Sequence, residues 1–215
     1  MRCYLCGEHL EGSVEDDHIP AKLLFPHEFR KARNLQLVTR PVHPRCHGPT
    51  GRDEDYFLQH VLIPLAHDTP AGMAARTEFR RAIQRPAGRV VADRVRSEFD
   101  DRPRGLDLPD GRMVKRFDGV RAHSAVWKWT RGLFFVETQG KFLPPQTPKD
   151  IQVRNEAHEH FPELTIALMG EPSRGHSPEL FDYKIRMAEC ADEPHFLLMR
   201  LWERLMVQVA FHDPA

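Results

Sequence analysis

Two pairs of residues with sulfur and nitrogen side chains near the start of the chain have the spacing of zinc ligands. Cys3 and Cys6 form a C-x-x-C pair, and His43 and Cys46 form an H-x-x-C pair. A tetrahedral zinc ion takes four such donors, and paired spacings of this kind are typical of structural zinc sites. The sequence therefore predicts a structural Zn²⁺ site made by these four residues. His9 is an alternative to His43, and buried thiols without a metal are the other interpretation.

A second set of residues lies between and just after the two zinc pairs. Asp17 directly precedes His18, and His47 directly follows the last zinc cysteine. Hydrolysis of a phosphodiester needs a base that activates water and a divalent ion that holds the phosphate. His18 suits the base because the pKa of an imidazole is near neutral. Asp17 and His47 suit a catalytic divalent ion as oxygen and nitrogen ligands, and Mg²⁺, Mn²⁺ and Ni²⁺ all find acceptable ligands here.

Charge is balanced over the whole chain, so binding to nucleic acid would have to depend on a local positive field. The 215 residues include 31 Lys+Arg and 31 Asp+Glu, which gives a net charge of +0. Proteins that simply coat nucleic acid are usually basic overall. The basic residues nearest the candidate site are Lys22, Arg30, Lys31 and Arg33. We predict that these four contact the phosphates of a nucleic acid.

The elements that must position these groups lie within residues 1–57, which we predict to be a compact, loop-rich domain. A short strand is predicted over residues 35–38 and a turn at residues 48–51, which read Gly-Pro-Thr-Gly. The acidic run Asp53, Glu54 and Asp55 predicts the start of a helix, because negative charge is favourable at a helix N-terminus. Residues 58–215 are predicted to pack on this domain, without an assigned function.

The remainder of the chain is predicted to be a mixture of helices and strands. Helical patterns cover residues 53–85 and 117–136, and the core candidates of the second include Val120, Trp127, Trp129 and Phe134. Residues 90–91 and 113–114 suggest short strands. Residues 181–185 alternate apolar and polar, which predicts a half-buried strand. Residues 196–211 are strongly apolar, which predicts two strands or one long strand, with a helix as the competing interpretation for that segment. The predicted fold class is therefore α+β.

Four stretches of residues 1–57 resemble the zinc-containing branch of the HNH endonuclease family, of bacterial or phage type. They read Cys-Tyr-Leu-Cys-Gly, Asp-His-Ile-Pro-Ala-Lys-Leu-Leu-Phe-Pro, Leu-Val-Thr-Arg-Pro-Val-His-Pro-Arg-Cys-His and Asp-Glu-Asp-Tyr-Phe. Residues 127–144 show a weaker resemblance to bacterial members of the same branch. The resemblance implies a ββα-metal fold, in which a hairpin and a helix hold one divalent ion.

The resemblance also implies a role for each matching residue. His18 would be the general base, Asp17 and His47 the ligands of the catalytic ion, and Asn34 the residue that fixes a loop and orients the base. A structural asparagine in a turn is the alternative for Asn34. The implied function is metal-dependent cleavage of phosphodiester bonds, with DNA as the expected substrate. The alternative is a catalytically degenerate HNH zinc module that binds nucleic acid or a protein partner without cleaving.

The cysteine content and the hydropathy pattern bear on the cellular compartment. Four cysteines are too few for a disulfide framework, and three of them belong to the predicted zinc cluster. We expect no signal peptide, because residues 1–11 lack an apolar stretch, and no membrane span, because no apolar run is long enough to cross a bilayer. We therefore expect a cytoplasmic protein with no membrane partner. The apolar segment 181–211 could form an interface with a second copy of the chain or with a protein partner.

Overall fold

The computed structural model describes residues 1–105, 107–146, 150–155, 168–190 and 192–212. This part of the chain has a mixed α+β structure, as predicted. Its helices are α1 (His27–Arg33), α2 (Pro44–Phe57), α3 (Ile63–Leu65), α4 (Pro70–Ile83), α5 (Pro86–Ser97) and α6 (Gly119–Glu137). Its strands are β1 (Glu15–Ile19), β2 (Val38–Val42), β3 (Phe99–Asp100), β4 (Val114–Lys115), β5 (Asp150–Asn155), β6 (Arg174–Ser177), β7 (Phe181–Arg186), β8 (His195–Leu201) and β9 (Leu205–Phe211).

The N-terminal region contains an antiparallel pair of strands followed directly by a helix. β1 pairs with β2 so that His18 lies opposite Thr39, and α2 begins two residues after β2 ends. The strand predicted over residues 35–38 begins later than expected and continues through Pro41. Proline is tolerated there because both strands of a two-stranded sheet are edge strands. Pro44 starts α2 at a position where a missing N–H removes no helical hydrogen bond.

The turn predicted at residues 48–51 and the helix start predicted at Asp53 are both wrong, because α2 already spans these residues. Inside the helix, Pro49 cannot donate a backbone hydrogen bond. The Thr50 hydroxyl contacts the carbonyl oxygens of Cys46 and His47 at 3.0 Å each. The apolar and acidic face of α2, which includes Glu54 and Phe57, is buried. This packing outweighs the turn preference of the local sequence.

The helical segment after α2 continues without a break across residue 57. A π-helical turn at Leu58–Leu62 joins α2 to α3, and α4 follows with Thr69 as its N-cap, whose side chain accepts a hydrogen bond from Gly72 N–H. Residues 90–91 lie in α5, so the strand predicted there is wrong. The helix is started by Pro86 at its first position. Within the described part of the chain, none of these helices combines the length and apolar character that a membrane crossing requires.

Helix α6 lies between the N-terminal region and the C-terminal sheet. Trp127, Trp129 and Phe134 are buried as predicted, but Val120 is 81% exposed because it stands in the first turn, outside the packed part of the helix. Trp129 meets the Phe57 ring of α2 edge-on, with ring centroids 5.0 Å apart. The rings of Trp127 and Phe134 make similar contacts with Phe211 of β9. One helix therefore ties both parts of the chain together.

The C-terminal region forms a five-stranded antiparallel sheet in the order β5-β9-β8-β7-β6. The strands predicted within residues 181–185 and 196–211 are confirmed. Alternate residues of β8 are buried, including Leu197, Met199 and Leu201. Trp202, in the β8–β9 turn, donates a hydrogen bond from Nε1 to the carbonyl of Leu24 at 2.8 Å. The apolar residues of this region thus form part of the chain's own core. The interface with a second copy or a protein partner that was expected over residues 181–211 stays a prediction.

Candidate metal centre and active site

The four predicted zinc ligands form one cluster between the N-terminal loop and the start of α2. The ligand atoms of Cys3, Cys6, His43 and Cys46 all lie within 4.8 Å of one another. A tight turn brings the first two together, since Gly7 N–H donates to the carbonyl of Cys3 at 2.7 Å and Gly7 has a φ of +83°. Three sulfurs and one nitrogen at this separation could hold a structural metal such as zinc.

The hydrogen bonds of His43 indicate which of its nitrogens would face a metal. Nε2 lies 3.1 Å from the carbonyl oxygen of His9, to which it can donate, and Nδ1 lies 3.4 Å from the Cys6 sulfur. Metal-binding histidines commonly donate their other ring N–H to such an acceptor. His9 thus supplies its backbone rather than its side chain, which is exposed. Burial, followed by hydrogen bonding to Cys6, raises the pKa of Cys46 to about 11, and a bound cation would oppose this shift.

A second site opens beside the cluster, as a cavity of about 460 Å³ between β1, α2 and the segment before α1. Asp17 and His18 reach it from β1. His47 and Glu54 reach it from one face of α2, because residues seven apart lie nearly two full turns along a helix. Lys22 and Arg30 also line the cavity. The strand–strand–helix arrangement therefore brings together the Asp-His pair, the following histidine and two of the predicted basic residues.

Asp17 is 3% exposed, and three side chains approach its carboxylate. Tyr4 donates its hydroxyl to Oδ2 at 2.6 Å, and the Lys128 ammonium lies 2.9 Å from the carboxylate. Nδ1 of His47 lies 3.4 Å from Oδ1. That nitrogen is buried and has no hydrogen-bond partner among the described residues. An oxygen and an unpaired nitrogen this close together are suitable ligands for one divalent ion.

His18 is partly exposed and lines the same cavity. Burial, and then the positive charge of Lys22, lower the pKa of His18 below its ordinary value, although Asp17 acts in the opposite direction. The lower pKa favours the neutral imidazole, which is the form that can accept a proton.

Asn34 lies outside the cavity. It ends α1 in the left-handed conformation with a φ of 47°, which asparagine tolerates better than most residues. Its side chain is exposed, and Gln36 donates to its Oδ1 at 3.4 Å. The structure therefore gives Asn34 the environment of a helix-terminating residue, and a role in orienting His18 stays a prediction.

The four basic residues predicted to bind nucleic acid are placed differently. Lys22 and Arg30 line the cavity, and the Arg30 guanidinium is fixed by donation from Nε to the carbonyl of Phe25 at 2.8 Å. Lys31 is exposed on α1. Arg33 is engaged by Glu179 and by the Ser177 hydroxyl. Lys22 and Arg30 are thus the best placed to meet a phosphate in the cavity.

Two charged residues at the site were missed by sequence reasoning. Lys128 of α6 is 3% exposed and Glu54 of α2 is 4% exposed, and their charged groups lie 2.7 Å apart. Trp129 also donates from Nε1 to Glu54 at 2.7 Å. Burial raises the pKa of Glu54 to about 7, although the ammonium of Lys128 acts against it. A lysine within a run of buried apolar residues was the available signal for Lys128.

Comparison with known proteins gives no match: no family model, no curated protein and no solved structure is significantly similar to this chain.

Proposed function

We propose that this protein is a metal-dependent endonuclease of the HNH type, which hydrolyses phosphodiester bonds, with DNA as the expected substrate. The observation that carries the proposal is the meeting of Asp17, His18 and His47 in one cavity beside a Cys₃His cluster. The strand–strand–helix order that presents them is the order the resemblance to HNH endonucleases implies. Among the described residues, the buried Nδ1 of His47 has no hydrogen-bond partner and lies 3.4 Å from the buried Asp17 carboxylate, which supports a shared ion.

Each of these residues has a separate task in the proposed reaction. Lys22 and Arg30 attract the phosphate and orient it in the cavity. Neutral His18 removes a proton from the attacking water. Asp17 and His47 would hold the divalent ion. When bound, that ion supplies charge neutralisation at the phosphate and at the leaving oxygen.

A plasmid-nicking assay with Mg²⁺ or Mn²⁺ tests the proposal. We expect the unmodified protein to convert supercoiled DNA to nicked or linear forms. His18→Ala should lower the rate roughly 10²- to 10⁴-fold, which is the usual contribution of a positioned base. His67→Ala is the matched control, because His67 is exposed and lies outside the cavity. Cleavage by His18→Ala at the unmodified rate would refute the proposed mechanism.

One observation favours a second candidate function, a degenerate HNH module that binds without cutting. Both the Lys128 ammonium and the Tyr4 hydroxyl already contact the Asp17 carboxylate. If Lys128 excluded the catalytic ion, the protein would bind DNA or a protein partner through Lys22 and Arg30 without turnover. DNA affinity that persists without cleavage under every divalent ion tried, with a single zinc per chain, would support this candidate.

A further inference from the structure

Three buried charges form a continuous chain at the wall of the cavity, which Asp17 and Glu54 line. The Lys128 ammonium lies 2.9 Å from the Asp17 carboxylate and 2.7 Å from the Glu54 carboxylate. The side chains of all three residues are at most 5% exposed. Burial on this scale weakens the screening by water, so the charges act strongly on anything bound next to them.

The Lys128 ammonium also lies close to where the divalent ion would bind. That ion would sit between Asp17 and His47, and Asp17 is the carboxylate that Lys128 contacts. A fixed positive charge at this distance repels a second cation, whereas the Glu54 carboxylate, which pairs with the same ammonium and lines the cavity, attracts it. With both carboxylates ionised, the trio carries one net negative charge. Without Lys128 it would carry two.

We propose that Lys128 is a built-in counter-cation that weakens the hold of the Asp17–His47 site on its divalent ion, and that Glu54 partly offsets it. The inference rests on the proposed function, because it concerns the same ion. Its consequence is that the free protein holds the ion loosely. The negative charge of a bound phosphate then strengthens the binding of the ion, so that the complete site forms only when nucleic acid is present.

The charge pattern gives a fixed order of ion affinities, which titration of the zinc-loaded protein with Mn²⁺ can measure in the absence of nucleic acid. Mildly alkaline buffer keeps Glu54 ionised. Lys128→Met replaces the ammonium with an uncharged side chain of similar length, and Mn²⁺ should bind roughly tenfold tighter or more. Glu54→Gln leaves Lys128 paired with Asp17 alone, and Mn²⁺ should bind roughly tenfold weaker.

The double variant Glu54→Gln with Lys128→Met restores the original net charge and should bind Mn²⁺ within about threefold of the unmodified protein. If Lys128→Met alone fails to fold, Glu54→Gln and the double variant still test the order. Lys141→Met, at an exposed lysine, is the control and should change nothing. Asp17→Asn should abolish Mn²⁺ binding while one zinc per chain is retained.

Unchanged or weaker Mn²⁺ binding by Lys128→Met would overturn the inference. Lys128 would then act only by fixing the position of the Asp17 side chain. Absence of Mn²⁺ binding by every variant would overturn it as well. The nicking assay is scored separately. If Mn²⁺ binds the variants in the expected order of affinity but DNA is not cleaved, the role of Lys128 is supported and the proposed nuclease activity is refuted. If DNA is cleaved but the affinities do not follow that order, the nuclease activity is supported and the role of Lys128 is refuted.

Discussion

At the scale of single residues, the surroundings of His18 determine the pH at which it can accept a proton. Burial and the charge of Lys22 lower its pKa from the ordinary value of 6.5, so the neutral form persists to a lower pH. The cleavage rate at saturating Mg²⁺ should therefore rise with pH, with a midpoint below the ordinary imidazole pKa. Removing the Lys22 charge should move this rise to higher pH, toward the ordinary imidazole value.

Single-turnover rates measured against pH for the unmodified protein and Lys22→Ala check this prediction. Lys22 is also expected to contact the substrate, so both proteins are compared at saturating DNA. The quantity compared is the pH at which the rate reaches half of its maximum. Lys141→Ala serves as a lysine control, since Lys141 is exposed and lies outside the cavity. If the rate of Lys22→Ala reached half of its maximum at the same pH as that of the unmodified protein, a group other than His18 would control the rate.

The residues that the sequence could identify are those that lie close together along the chain. Asp17, His18 and His47 follow one another in an order that a reader can recognise, and the structure brings them to one cavity. Lys128 lies 111 residues from Asp17, and only the packing of α6 brings them together. A lysine inside an apolar helical run is a signal of a paired, buried charge, but the same pattern also fits a long side chain that extends its ammonium to water. The burial of Lys128 between two carboxylates depends on the tertiary structure.

At the scale of elements, the position of β1 depends on how closely α6 approaches it. A Cβ atom added at Gly132 of α6 would lie 2.9 Å from Cγ2 of Ile19, which is buried directly after His18. We expect Gly132→Ala to destabilise the protein by about 1–3 kcal/mol through overpacking, despite the better helix propensity of alanine. The shift of β1 should also lower the cleavage rate.

Gly51→Ala is the matched control for this prediction. Gly51 is likewise inside a helix, but a Cβ there would meet nothing within 4 Å. Alanine should therefore stabilise α2 by up to about 1 kcal/mol. Urea unfolding of the two variants measures both free energies. If Gly132→Ala proved as stable as Gly51→Ala, α6 would not be packed against β1 as tightly as the structure shows.

The elements predicted correctly are those with a strong hydropathy pattern. Strand β8 alternates buried and partly exposed residues along its whole length, and α6 carries a dense run of apolar residues. The errors arose where local preferences were outweighed. The Gly-Pro-Thr-Gly sequence prefers a turn, yet it lies inside α2, whose buried face packs against α6 through Phe57 and Trp129. The two β-branched residues at 90–91 favour a strand, but they lie in helix α5, which begins at Pro86.

At the scale of the whole molecule, the Cys₃His cluster and the cavity lined by Asp17 are coupled through Tyr4. Tyr4 lies between Cys3 and Cys6 in the chain, and its hydroxyl donates to Asp17. Arg131 of α6 fixes the same segment by donation from Nε to the carbonyl of Tyr4 at 2.9 Å. Loss of the metal should therefore loosen Tyr4, Asp17 and the packing of α6 together.

This coupling predicts the effect of removing one zinc ligand. Cys46→Ala should lose the zinc and lower the thermal unfolding temperature by about 10 °C or more, because metal binding contributes directly to the free energy of folding. Cys190→Ala is the matched control, since Cys190 is an exposed free thiol outside the cluster. Zinc content by elemental analysis and unfolding by circular dichroism measure both effects. If Cys46→Ala kept one zinc per chain and its full stability, the cluster would not be the structural metal site, and the fold of the N-terminal segment would have to depend on its contacts with α6 alone.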